Sequence, residues 1–140
     1  MNDKQAPTEP EPELIEASYA LQIHLGFEVK GWSTDYARVE QPLHPFLMNR
    51  NGIPHGGIYA TLLDTAMGFA GCYTGDRDNP RTCLTLTLNV NYLAQAKGKL
   101  LITEAFRTGG GRKIYFAEGL VTDELGTKIA SATGAFRYRS

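Results

Sequence analysis

Two features of this chain have residue types suited to chemistry at a carbonyl group: the run His55-Gly56-Gly57 and, nine positions beyond His55, Asp64. Asp64 lies among Leu62, Leu63, Ala66 and Met67, a setting in which an unpaired carboxylate is costly. Projected on a helix at about 100° per residue, its face is shared by Gly57, Ala60, Thr61, Gly68 and Gly71, all small. A helical glycine costs about 1 kcal/mol against alanine, so such a face suits the close approach of another backbone or of a ligand. Tight internal packing, with Asp64 hydrogen-bonded to a neighbouring strand, is the alternative. His55-Gly56-Gly57 stands where the same helix begins. Free backbone N–H groups and the positive end of the helix dipole there form a site for a carbonyl oxygen or oxyanion. Either Gly56 or Gly57 can supply the donor.

The spacing of the two features sets a condition on any shared site. Nine residues of helix span roughly 13 Å and place His55 and Asp64 on nominally opposite sides. One chain cannot easily bring both to a single bond. Two copies can, if a two-fold axis sets their helices antiparallel with the small faces opposed. The geometry asks for a partner.

The elements that must carry these residues follow from periodicity. Residues 1–12 hold three prolines and several acids with little to bury and read as a disordered arm, leaving one domain over 13–140. Leu14, Ala17, Leu21 and Leu25 predict a first helix from Glu13, closed at Gly26. Phe27–Gly31 and Tyr36–Gln41 predict a hairpin about Ser33-Thr34-Asp35, and the prolines between Pro42 and Pro54 predict a loop. Ile58, Leu62, Ala66, Phe69 and Tyr73 form the apolar stripe of a long helix, Gly57–Tyr73. Leu84, Leu86, Leu88, Val90 and Tyr92 then alternate with Thr85, Thr87, Asn89 and Asn91, one strand with an apolar and a polar face. Lys99–Arg107, Lys113–Thr122 and Lys128–Tyr138 predict three more strands in an antiparallel meander. The fold class is α+β, one central helix wrapped by about five to six strands.

Composition narrows the functions available. A net charge of −1 provides no basic face for nucleic acid, and no apolar run approaches the roughly 20 residues of a membrane span. The first residues lack a signal-peptide pattern, so a cytoplasmic protein is expected. Cys72 and Cys83 have no metal-ligand spacing and are expected as free, buried thiols; no cluster suggests a metal. Lys97, Lys99, Arg107, Arg112 and Lys113 fall near strand ends. Arg112 and Lys113 follow Gly109-Gly110-Gly111, where exposed backbone and charge suit a pyrophosphate, or are simply solvated.

The stretch Asn49 to Gly57 followed by Asp64 resembles the N-x5-H-G-G-x6-D signature of the PaaI-like thioesterases, members of the hot-dog-fold thioesterase superfamily. Leu84–Leu93 resembles the family strand leading to a P-A-x-x-G turn, which here reads Gln95-Ala96-Lys97-Gly98 without the proline. Gly111-Arg112 and Asp123-x-x-Gly126-x-x-x-Ala130 also fit the pattern, and the likeness covers about Phe46–Phe136. It implies a hot-dog fold, an acyl-CoA substrate, no cofactor besides the coenzyme A carried by that substrate, and homodimers that pair into a dimer of dimers. It further implies that Asp64 is the catalytic carboxylate, as nucleophile or base, and that Gly57 polarises the thioester carbonyl. Asn49 and His55 match residues that orient the thioester or water, and Thr85 a hydroxyl that helps place water. A hot-dog hydratase or dehydratase and a non-catalytic acyl-CoA-binding module are the competing expectations.

Overall fold

The computed structural model describes residues 9–140; the expected arm over 1–12 lies mostly outside them. A 3₁₀ turn at Pro12–Leu14 precedes α1 (Ala20–Leu25), and the hairpin β1 (Glu28–Ser33) and β2 (Tyr36–Pro42) follows. After a second 3₁₀ turn, Pro45–Leu47, come α2 (Gly56–Ala70), β3 (Cys83–Tyr92), β4 (Leu100–Gly110), β5 (Ile114–Asp123) and β6 (Lys128–Tyr138). The six strands form one antiparallel sheet in the order β1-β2-β4-β5-β6-β3. It wraps α2, which touches every strand. This is the hot-dog arrangement.

The first helix is shorter than the expected Glu13–Gly26. Of its apolar positions only Leu25 is buried, and a helix with no face to bury is marginal. Its end is as expected, with Gly26 in the left-handed region at φ 86°.

The meander expected from β3 onward is also corrected. Only β4, β5 and β6 follow one another; β3 lies at the far edge beside β6. The amides of Leu93 and Ala94 both donate to the Ile129 carbonyl, and Leu43 N–H donates to the Lys99 carbonyl. The chain leaving β3 therefore crosses the end of β6 and reaches β2 before β4 begins.

Core positions on α2 are Tyr59, Leu62, Leu63, Ala66, Met67 and Ala70, a stripe turned from the expected one, with Ile58 and Phe69 on its flank. The helix ends at Ala70 rather than Tyr73 because the sheet takes over its last carbonyls. Tyr115 Oη donates to the Met67 and Gly68 carbonyls at 2.9 and 3.1 Å, Trp32 Nε1 to Phe69 at 2.8 Å, and Tyr138 Oη to Gly71 at 2.7 Å. Gly71 makes this possible: a Cβ there would run into the Tyr115 ring.

The loop before β4 is anchored by a buried acid. Asp123, 2% exposed, accepts hydrogen bonds from the amides of Lys97, Gly98, Leu125 and Thr127. Burial pushes its pKa up, but those amides outweigh it and hold the carboxyl well below the ordinary range. Because the folded-state pKa is depressed, the contribution to stability is full above about pH 4 and fades as pH falls toward the folded value. Asp123→Asn is expected to cost about 3 kcal/mol at pH 7. That deficit should narrow by about 1 kcal/mol at pH 3, which urea denaturation at the two pH values measures.

Candidate active site

α2 and β3 run antiparallel to each other, and the site residues lie along their seam. At one end Thr85 Oγ1 donates to Asp64 Oδ1 at 2.6 Å. At the other, Tyr92 Oη donates to the Gly56 carbonyl at 2.9 Å. The Tyr92 ring lies 3.2 Å from where a Cβ on residue 56 would sit, so any larger residue would have to push the ring back by a few tenths of an ångström.

Thr85 reaches Asp64 because β3 does not alternate strictly. A bulge between Thr85 and Thr87 shifts the register against β6. Beyond it Leu88 and Val90 pack on the core, whereas Leu84 and Leu86 before it are 56% and 50% exposed. The expected single apolar face is thus split. An extra residue in one strand reverses the facing of what precedes it, and here it turns Thr85 inward.

His55 is the N-cap of α2. Its Nδ1 accepts the Gly57 N–H at 2.8 Å, a role ordinarily played by Ser, Asp or Asn. In the neutral ring this acceptor assigns the proton to Nε2. The Gly57 amide is therefore engaged within the chain, while the Gly56 N–H has no hydrogen bond among the described residues. Asn49 sits in the preceding loop with its Oδ1 accepting from the Asn51 and Ile53 amides at 2.8 and 3.4 Å. Its own N–H donates to the Ile53 carbonyl at 2.7 Å. It shapes the turn that delivers His55 to the helix start.

α2 is unbroken from Gly56 to Ala70, so the helix start and Asp64 stay roughly 13 Å apart along it. The structure brings together Asp64 with Thr85, and His55 with Gly56, Gly57 and the Asn49 loop, as two separate groups. Gly111, Arg112 and Lys113 form a third, an exposed turn between β4 and β5. It lies at the C-terminal end of α2, since Tyr115 in the next strand binds Met67 and the Lys113 carbonyl accepts from Tyr138 N–H.

A cavity of about 230 Å³ opens beside Asp64, lined also by Tyr19, Gly68, Phe69, Cys72, Cys83 and Thr85. Larger hollows, about 350 Å³ under the N-terminal segment and about 430 Å³ on the outer sheet face, contain none of the site residues. The small face of α2 is thus partly internal packing, at Gly71, and partly open, at Gly68 beside Asp64. Tyr19, Cys83 and Tyr92 were missed in the sequence. Tyr92 carries a signal, lying in phase with inward Leu88 and Val90; Tyr19 lies in a segment without periodicity. Among the described residues no cluster of acids, histidines and cysteines is placed to hold a metal ion.

If His55 caps the helix, His55→Ala should lower stability by about 1 kcal/mol. His55→Asn, which restores a capping acceptor, should recover most of that loss in urea denaturation while lacking the imidazole.

The family model described as the Thioesterase superfamily matches residues 51–130. A protein named as an esterase from Halobacterium salinarum is 35% identical over 128 residues, covering 85% of this chain and 84% of that protein. Among solved structures, a Bacillus halodurans protein crystallised with CoA aligns at TM-score 0.75 and 30% identity, over 88% of this chain and 80% of its own. The E. coli PaaI protein of the phenylacetic acid degradation operon shares the fold at TM-score 0.75 and 16% identity, over 86% and 84% of the two chains. With the matched segment spanning the helix start, Asp64 and most of the sheet, this chain belongs to the Thioesterase superfamily and is a thioester hydrolase of the hot-dog fold.

Proposed function

We propose that the protein hydrolyses a small or medium acyl-CoA, aryl-acyl groups included, to the free acid and coenzyme A, in sites shared between two copies of the chain. The observation that carries this reading is Asp64. Its carboxylate is steered by the Thr85 hydroxyl, 2.6 Å away, and it sits half-buried on an open stretch of helix beside a cavity large enough for an acyl group. A relative of similar fold crystallised with CoA supports the choice of thioester.

A thioester is already electrophilic, so two aids suffice: a polarised carbonyl and a base or nucleophile held against it. The partner's helix start supplies the first. There the free Gly56 N–H is the more available donor, and the Gly57 N–H joins it if His55 Nδ1 releases it. His55, fixed by its cap bond, has an Nε2–H for the thioester or the attacking water, and Asn49 holds the loop that positions it. Asp64 uses the oxygen not bound to Thr85 to take a proton from water as that water attacks the carbonyl carbon. The tetrahedral oxyanion then collapses and expels the coenzyme A thiolate. If Asp64 instead attacks directly, an acyl-aspartyl anhydride forms and water releases the acid from it. Single turnover in ¹⁸O-water separates the two, since only the second route leaves label in Asp64.

Homodimerisation follows from the 13 Å between the half-sites, and two features favour it. Among the described residues β3 has no neighbour on its outer edge, where a bare strand invites pairing. Leu84, Leu86, Tyr92 and Leu93 stand exposed along it. Two such edges pairing antiparallel would continue the sheet and set the two α2 helices side by side. Pairing of dimers into tetramers is the further expectation. Arg112, Lys113 and the Gly111 backbone are the proposed holders of the coenzyme A phosphates.

Asp64→Asn is expected to keep the fold and lower kcat by roughly 100-fold or more, read as free thiol released from a panel of acyl-CoAs. Saturable CoA binding without thiol release by the wild-type protein would favour a binding module, and water addition to an enoyl-CoA would favour a hydratase. Refolding Asp64→Asn together with a second inactive variant, His55→Ala, should restore on the order of a quarter of wild-type turnover, since hybrid dimers keep one intact site. No recovery from the mixture would place both groups in one chain.

A further inference from the structure

The two cysteines have no part in the proposed hydrolysis, yet they are not scattered. Cys72 follows the C-cap of α2 and is buried at 5% exposure; Cys83 opens β3 and is half-buried. The folding of the sheet onto the helix makes them neighbours: Cys83 pairs with Tyr138, whose Oη donates to the carbonyl of Gly71 beside Cys72, and both thiols line one cavity. Tyr115 Oη, whose proton goes to the helix carbonyls, lies 3.3 Å from Cys83 Sγ. The Cys83 thiol also donates to the Gly68 carbonyl at 3.7 Å.

The pair is asymmetric. Cys83 and Cys72 both border the cavity that holds Asp64 and Thr85, but Cys83 is the more open. The interaction with the Cys72 thiol draws Cys83 down to about 7, against its burial and the charge of Asp64. Cys72 is pushed far up by the same contact and by burial, with Arg81 opposing. The more open sulfur thus has the more acidic thiol and is reachable from the site, and the other is a less acidic neighbour behind it.

We propose that Cys72 and Cys83 are a peroxide-reactive thiol pair that closes to an intramolecular disulfide in the wall of the active-site cavity. A hydroperoxide is the oxidant. The Cys83 thiolate attacks one peroxide oxygen, the O–O bond breaks, and the leaving alkoxide or hydroxide takes up a proton, leaving a sulfenic acid on Cys83. The Cys72 sulfur then attacks the Cys83 sulfur, losing its proton as the hydroxyl departs as water. Two thiols and one hydroperoxide become one disulfide, one alcohol (or water) and one water, with two electrons passing from sulfur to oxygen. This chemistry does not depend on the hydrolytic role given to Asp64.

The test uses the full chain, reduced, freed of reductant and exposed to hydrogen peroxide at near-equimolar amounts. Expected are loss of both titratable thiols after unfolding, a fall of about 2 Da in intact mass, a linked Cys72–Cys83 peptide, and reversal by dithiothreitol. Cys72→Ala should halt at the sulfenic acid, trapped by dimedone on Cys83, and Cys83→Ala should leave Cys72 unmodified at the same dose. Two thiols surviving excess peroxide in the wild type would overturn the proposal. So would oxidation of Cys83 that leaves Cys72 free, or a disulfide joining two copies on a non-reducing gel.

Discussion

The last turn of α2 hands its carbonyls to aromatic donors from the sheet, and the placing of everything else depends on that exchange. The Met67 and Gly68 carbonyls bind Tyr115, the Phe69 carbonyl binds Trp32 and the Gly71 carbonyl binds Tyr138. A buried carbonyl left unpaired costs about 1–3 kcal/mol, so these bonds decide where the helix may stop. They come from β1, β5 and β6, three directions around the helix, and so fix its rotation as well as its position along the sheet. With Tyr92 holding the Gly56 carbonyl at the other end, α2 can neither slide nor roll. Asp64 meets Thr85 as a consequence of that clamp.

The same constraint explains why glycine recurs along one side of the helix. Gly71 is small because a tyrosine ring occupies its Cβ space, and Gly56 because Tyr92 crosses close above it. Gly68 has only the Cys83 sulfur at ordinary contact distance and borders the cavity. One small face therefore serves two purposes, clamping at its ends and access in its middle.

Much of this was legible in the residues. His55 as the start of the long helix, Gly26 as a helix stop, the hairpin at Ser33–Asp35 and the strand runs all follow from local chemistry, and each is in the fold. What escaped depends on partners distant in sequence. The end of α2 could not be read, because Trp32, Tyr115 and Tyr138 compete for its carbonyls from 37 to 67 residues away. The crossing from β3 to β4 was hidden because period-2 alternation names a strand but not its neighbour. Within the site, the grouping of Asn49, His55, Gly57 and Asp64 was visible as a motif. That Gly57 N–H is already bound by His55, leaving Gly56 the freer donor, depends on the side-chain rotamer of His55 in the folded chain. Cys72 and Cys83 looked like two unrelated apolar thiols until the sheet folded them together.

The bulge in β3 has a meaning for how this chain is compared with its relatives. Residues 83–85 and 88–92 belong to two different reading frames of the strand, joined at one extra residue. A relative with an unbulged strand is one residue shorter here. An ungapped alignment anchored on its core-facing positions after the bulge would then match its site hydroxyl to Leu86 rather than Thr85. Descent in such a strand preserves which side chain meets the carboxylate, not its ordinal place. A deletion at position 86 would remove the bulge yet leave Thr85 two places before inward Leu88, so the carboxylate would keep its neighbour while the numbering shifted.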